Sequence, residues 1–370
     1  MRPRALYLVP GGVALLAGLD AALLLLGLPA PLRADRLPEV HGVLMVLGFV
    51  GTLVSLERSV ALGRRWGYVA PAGLGLGGLA LVSPLPTWVG GWLMTLGAAG
   101  LVAVYVPLWR RAPAAAVLVQ AGGAVLATGA AVLWVAGVPV PDLLPWLVGY
   151  LVLTIAGERL ELARVGLLDP RTETAATVIA GLVVVATVAS LLWPDVGHPL
   201  LGATYLALTG WLFRHDVARR TIRSTGLPRF MAACLLGGYA WLAVTAAYWL
   251  VAGPAVDGPM YDLVIHSVFL GFVISMIMAH APVILPAVLR RPLPYHTVMY
   301  VPAALLHASL VLRVVGDVRG VHRAWQTGGV LNIVAVLVFV LVAAWSALTA
   351  GGRTVRQAAE PVREPAGSRP

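Results

Sequence analysis

Apolar positions along the chain come in long unbroken runs instead of stripes. Twelve such runs, each about 20 residues long and so matched to a bilayer core, alternate with short stretches holding Arg, Gly and Pro. Their approximate bounds are 5–29, 40–62, 67–84, 87–109, 114–137, 141–163, 174–193, 197–213, 228–252, 260–284, 294–316 and 325–349. In lipid each backbone N–H and C=O must be bonded within its own segment, so runs of this kind fold as helices. Period-two alternation is absent, which excludes a membrane barrel. The pattern predicts an all-α fold, a polytopic membrane helical bundle of about twelve transmembrane helices. The runs at 67–84 and 197–213 are the shortest. The first run follows Met1-Arg2-Pro3-Arg4 as a signal peptide would. Its apolar stretch is longer than an ordinary h-region, so it is read as a span.

Composition agrees: 59% of residues are hydrophobic and 11% charged, where a soluble domain carries about 25% charged residues. The net charge of +10 invites a nucleic-acid reading, but every basic residue is Arg, and the distribution follows the spans. Twelve spans put 21 of the 26 Arg on the side of the N-terminus and 5 on the other. Such a bias marks the cytoplasmic face. The expected location is the cytoplasmic (inner) membrane with both termini cytoplasmic, in a lipid bilayer and without nucleic acid. Residues 1–352 form the transmembrane domain, and 353–370, rich in Arg, Ala, Glu and Pro, read as a disordered cytoplasmic tail. The single cysteine, Cys234, can form no intrachain disulfide, and no C-x-x-C motif is present.

Three spans share a pattern. The second reads Gly48-Phe49, seven residues, Glu57; the sixth Gly149-Tyr150, seven residues, Glu158; the tenth Gly271-Phe272, seven residues, His280. The offsets, 149−48 = 101 and 271−149 = 122, each equal about four spans. The copies therefore run in the same direction and suggest three four-helix units, 1–109, 110–220 and 221–352. A plainer reading makes Glu57-Arg58 and Glu158-Arg159 ion pairs that snorkel at the cytoplasmic interface. His280 has no Arg after it and escapes that reading.

The eight histidines carry the candidate chemistry. His198, His215, His296 and His322 fall at span ends and read as interfacial residues. His41, His266, His280 and His307 fall within spans, where an ionisable group is a functional candidate. Neutral imidazole is the commonest metal ligand and an axial ligand of haem iron. His266 and His307 lie about 9 Å and about 13 Å below the outer edge by helical rise. With the shallower His41 they can converge on one outer-half site if spans 2, 10 and 11 meet. His280 shares a helix face with His266 but lies about 21 Å further along it, so the two cannot hold one ion. The candidate haem ligands are His41, His266 and His307, and the candidate metal ligands His41, His266 and His280.

The run EVHGVLMVLGFVGTLVSLER, Glu39 to Arg58, resembles the second helix of haem-copper oxidase subunit I. That resemblance implies a low-spin haem ligand at His41, with Met45 following it in the same helix. The run from His266 to Asp317 resembles the later part of NnrS-type proteins, distant relatives that carry haem and copper and are associated with the response to nitric oxide. The chain has no adjacent His-His pair, so the resemblance stops short of an oxygen-reducing copper centre. It implies a haem-binding, and in the NnrS manner copper-binding, protein of nitric oxide response or metal and redox handling, with a redox partner protein. Gly48, Gly149 and Gly271 would then let helices pack closely around the cofactor. The competing reading is a secondary transporter or proton-coupled permease whose polar pathway is Asp20, Glu57, Glu158 and His280. Known transporter repeats are often twofold and inverted, whereas this one is threefold and same-direction.

Overall fold

The computed structural model describes residues 6–32, 34–165, 169–289 and 292–359, and among these there is no strand. Twelve helices follow the twelve apolar runs: α1 (Leu8–Leu25), α2 (Leu37–Leu62), α3 (Val69–Val82), α4 (Thr87–Arg111), α5 (Ala115–Val135), α6 (Val140–Val165), α7 (Pro170–Leu192), α8 (Pro194–His215), α9 (Gly226–Ala252), α10 (Gly258–Val288), α11 (Tyr300–Val318) and α12 (His322–Ala359). Ten of them are long and apolar enough to cross a membrane, and the chain is a polytopic membrane helical bundle. The other two, α3 and α8, are the two shortest apolar runs. Fourteen residues give α3 a length of about 21 Å, less than a hydrocarbon core. α8 carries Asp195 and His198 at one end and Arg214 and His215 at the other. α12 runs seven residues past Gly352, into the segment read above as a disordered tail. Arg, Gln and Ala are good helix formers and extend its last turns; 360–370 lie outside the described residues.

Neighbouring helices pack as antiparallel pairs: α1 with α2, α3 with α4, α5 with α6, α7 with α8, α9 with α10 and α11 with α12. α4 against α5 and α8 against α9 join successive sets of four, and α12 returns to meet α1 lightly. α2, α6 and α10 sit at the centre. In α6 78% of the span core is buried, and in α2 and α10 67%, against at most 50% in any other membrane-length helix.

The central helices are irregular at one shared register. α2 widens into a π-helix over Leu44–Gly51 and α10 over Ser267–Ile274, with Gly48 and Gly271 each four residues after the start. In α6 the residue four before Gly149 is Pro145, which removes a backbone N–H inside that helix. π turns inside helices frequently mark functional sites. Here they begin three residues after His41 and immediately after His266.

The three glycines serve helix contacts. A Cβ on Gly149 would lie 2.6 Å from the Leu126 side chain on α5, and one on Gly271 2.3 Å from Trp241 on α9. Small residues let membrane helices approach closely, where packing rather than hydrophobic burial drives association.

Candidate functional site

Two cavities lie end to end behind the light contact of α1 with α12, both walled by α1, α2, α6, α10 and α12. They share Val50, Val273, Ile274 and Val336. The outer one, at the end marked by His41, has a volume of about 340 Å³, and the inner one about 460 Å³. Both fall in the range of small-molecule sites, about 300–1,000 Å³.

The outer cavity brings His41 and His266 together from positions 225 residues apart. His41 stands on the second turn of α2, whose start is set by Pro38. Its ring lies near His266, Arg313 and the backbone of Gly18 on α1, and its Nδ1 is buried with no hydrogen-bond partner. A buried imidazole nitrogen without a partner is costly. Gly18 is required by the same corner: a Cβ there would lie 2.2 Å from the sulfur of Met45, one turn after His41.

His266 on α10 is held from behind. Its Nδ1–H donates to the Asp262 carbonyl at 2.9 Å and lies 3.2 Å from the Asp262 carboxylate. Arg313 on α11 grips that carboxylate with two bonds, Nε to Oδ2 at 2.9 Å and Nη2 to Oδ1 at 2.6 Å. Asp262 thus fixes the tautomer and ring plane, and Nε2 is the nitrogen left for another partner. α12 makes room for the arginine, since a Cβ on Gly328 would lie 2.5 Å from the Arg313 backbone. The Arg313 guanidinium also lies over the Trp325 ring at 5.7 Å, a cation–π contact. Leu19, Leu144, Phe269 and Ile333 are among the apolar residues of the other walls, which also carry Glu39, Tyr261 and Asn332.

His307 does not join this site. It faces α9, where Trp241 Nε1–H donates to its Nδ1 at 3.0 Å, and its Nε2 lies 3.2 Å from the Ser275 hydroxyl. Both ring nitrogens are occupied by packing partners. His280 is apart as well, in the wall of the inner cavity. Its Nδ1–H donates to the Met276 carbonyl at 2.7 Å, and Arg159 Nη1–H donates to its Nε2 at 2.8 Å. Of the histidines expected as ligands, only His41 and His266 meet.

Glu57 and Glu158 do come together, beside His280 in the inner cavity. Glu57 pairs with its chain neighbour Arg58, as the snorkelling reading expects, but Glu158 does not pair with Arg159. Arg58 reaches across to Glu158 at 3.8 Å and to Gln120 at 3.2 Å. Arg159, 3% exposed, instead takes Asp216 through Nε at 2.7 Å and Nη2 at 3.2 Å. Asp216 also accepts from the Tyr239 hydroxyl at 2.6 Å and from the Ala218 N–H at 2.8 Å. Asp20 lies at the other end of α1, accepting from the Leu32 N–H at 3.2 Å, and takes no part in the inner cluster.

Asp262, Arg313, Asp216 and Tyr239 are site or network residues that sequence reasoning missed. A signal existed for two of them. Asp262 stands four residues before His266, one helical turn on the same face, and Arg313 falls inside an apolar run. Counting Arg313 and Arg159 with the loop charges is corrected here: both are buried and paired inside the bundle.

Among the described residues no three His, Cys, Asp or Glu side chains converge as a metal-binding set. The outer pair has a different character: two imidazoles, one with an orphan nitrogen and one oriented by a carboxylate, in a chamber of mostly apolar side chains that Glu39, Tyr261, Arg313 and Asn332 also line. No curated protein and no solved structure matches the chain. A family model covers nearly all of it, residues 4–348, and the chain belongs to that family, described as "Domain of unknown function (DUF8744)".

Proposed function

We propose that this is a haem-binding membrane protein, with His41 and His266 as the residues that would hold the iron in the outer cavity. The observation that carries the reading is their meeting on one apolar cavity from helices α2 and α10. Haem iron would take imidazole ligands, and His41 and His266 are the two histidines that line this cavity. His41 has a nitrogen with no protein partner, and His266 has the carboxylate-backed Nδ1 usual for metal-ligating histidines. The cavity walls suit a flat apolar macrocycle. When bound, such a group supplies a one-electron redox couple. The chain's residues orient the imidazoles, through Asp262 and Arg313 on one side and Gly18 on the other, and the apolar walls exclude water.

Of the roles implied by the NnrS resemblance, redox handling with a partner protein would use the one-electron couple of a haem held by this pair. A copper site would need ligands beyond these two. The test is the visible spectrum of the purified protein with haem extraction: about one haem per chain supports the reading, and protein that takes up no haem from haem-sufficient cells or added hemin removes it. Replacing Asp262 with Asn removes the carboxylate charge behind His266 and opposite Arg313 while leaving the backbone carbonyl bond, and haem affinity should fall about 10–100-fold, measured by hemin titration. Unchanged affinity would mean that the carboxylate does not position the ligand.

We also infer three four-helix units and twelve membrane passages, α3 and α8 included. The supports are the shared register of the irregularities in α2 and α10 with Pro145 in α6, and the repeated pairing of helices. The Arg bias puts both termini on the cytoplasmic side of the inner membrane. Reporter fusions in the loop at 138–139 and at the C-terminus should read opposite sides, and a reading on one side for both would sink this topology.

One observation favours the transporter reading: the two cavities adjoin, so a route through the bundle has space. Against it, the shared wall of Val50, Val273, Ile274 and Val336 is apolar, and Asp20 is remote from the other proposed pathway residues.

A further inference from the structure

The inner cavity belongs to no part of the proposed haem site. It is the larger of the two, and of the side chains lining it only Glu57, Thr154, Glu158 and His280 are polar. Its polar groups lie along one wall, on α2, α6 and α10. The opposite wall is α1 and α12, with Leu15, Phe339, Val340 and Ala343. Those two helices meet only lightly, so the way in is between them, from the apolar layer and not from water.

The polar wall leaves one acceptor open: Glu158 lies 3.8 Å from Arg58, beyond hydrogen-bond distance. His280 has no free ring nitrogen, because one donates to Met276 and the other accepts from Arg159. Thr154 spends its proton on the Tyr150 carbonyl at 2.8 Å. Two carboxylates, Glu57 and Glu158, share the single guanidinium of Arg58. The donors packed behind the pair, Arg58 Nε, the Tyr105 hydroxyl and the Gln120 amide nitrogen, are buried without hydrogen-bond partners and bond neither carboxylate. Glu158 therefore lines the cavity without a hydrogen bond, a costly arrangement that a hydroxyl on the cavity side would relieve.

Depth and charge narrow the occupant. Glu57 and Glu158 lie five and seven residues before the ends of their helices, about 8 and 11 Å inside. That is below the level of phospholipid head groups, and an anionic one would find Arg58 already engaged by Glu57 and Glu158. A compound that lives in the apolar layer, carries a neutral ring with hydroxyl donors and trails an apolar chain matches every wall. We infer that the inner cavity binds an isoprenoid-type hydroquinone, its ring hydroxyl donating to the Glu57–Glu158 pair and its chain lying along the seam between α1 and α12. The oxidised quinone has carbonyls only and cannot donate, so the site discriminates between the two redox forms. The shared walls put the ring next to the outer cavity.

The test is anaerobic titration calorimetry on the whole purified protein with decyl-ubiquinol, decyl-ubiquinone and 1-decanol. The quinol should bind once per chain, at least about tenfold tighter than the quinone, as expected for exchanging a charge-assisted hydrogen bond for none. Decanol, with a hydroxyl but no ring to fill the cavity, should bind weaker still. The double variant Glu57→Gln, Glu158→Gln should lose about tenfold in quinol affinity. Ala343→Trp, which fills the cavity from its outer wall and leaves the carboxylates in place, should abolish binding without altering haem content. His41→Ala should lose haem and keep quinol binding, so the two readings fail separately. Equal affinity for quinol and quinone, decanol binding as tight as quinol, or undiminished binding by Ala343→Trp would each overturn the assignment.

Discussion

Purified His41→Ala and His266→Ala proteins are each expected to lose the haem absorbance band, with haem per chain falling by well over about tenfold at equal protein level. Positioning residues around metal ligands are worth about 10–100-fold in affinity, and a ligand itself is worth more. The two variants differ in what they leave behind. His266→Ala leaves Asp262 still gripped by two bonds from Arg313, so the wall should stay in place and only the ligand be lost. His41→Ala removes an imidazole whose Nδ1 has no protein partner, so it costs little stability. His307→Ala and His280→Ala are the controls. Their nitrogens bond Trp241, Ser275, Met276 and Arg159, and their loss should lower stability by about 1–3 kcal/mol through unsatisfied buried groups while the band persists. A band that survives in both ligand variants, or that disappears with His307 or His280 at normal folding, would remove the outer cavity as the haem site.

The largest effect on stability is expected at Arg159 and Asp216. Both are at most 5% exposed, and they tie α6 to the segment after α8, with Tyr239 of α9 and His280 of α10 attached. Removing one member of a buried ion pair strands the other charge, at a cost of about 3–5 kcal/mol. Arg159→Met and Asp216→Leu should each lower resistance to denaturation in detergent by about that amount. The double variant should lose much less than the sum, because no uncompensated charge is left. Haem content should follow stability and show no specific loss. Additive losses in the double variant would show that the two charges are not coupled.

These networks also mark the boundary of what the chain pattern reveals. An apolar run long enough to span lipid has one way to satisfy its backbone, so the helices at 5–29 or 228–252 are legible without neighbours. His41 and His266 are legible as candidates, because an imidazole in such a run needs a reason to be there. Gly48, Gly149 and Gly271 are legible as a repeat but not in their role. They pack against neighbouring helices, and their spacing is equally consistent with a cofactor surround. His307 reads as deeply placed as His266, yet it faces α9 and not the cavity.

Fold class, the bundle's membrane character and the pairing of an ionisable residue with each central helix were determined by the sequence alone, because they rest on local physics: hydropathy, helical rise and the cost of an unbonded peptide group. Which helix faces close around a cavity was decided only by tertiary packing. A membrane helix is apolar on all sides, so no amphipathic stripe tells its inner face from its lipid face. Partner choice was decided there as well. Arg159 sits beside Glu158 in the chain and bonds Asp216, 57 residues away, because successive residues on a helix point about 100° apart and the nearer charge in sequence faces another helix. By the same rule His41 meets His266 across 225 residues, and His280, on the same helix as His266, does not.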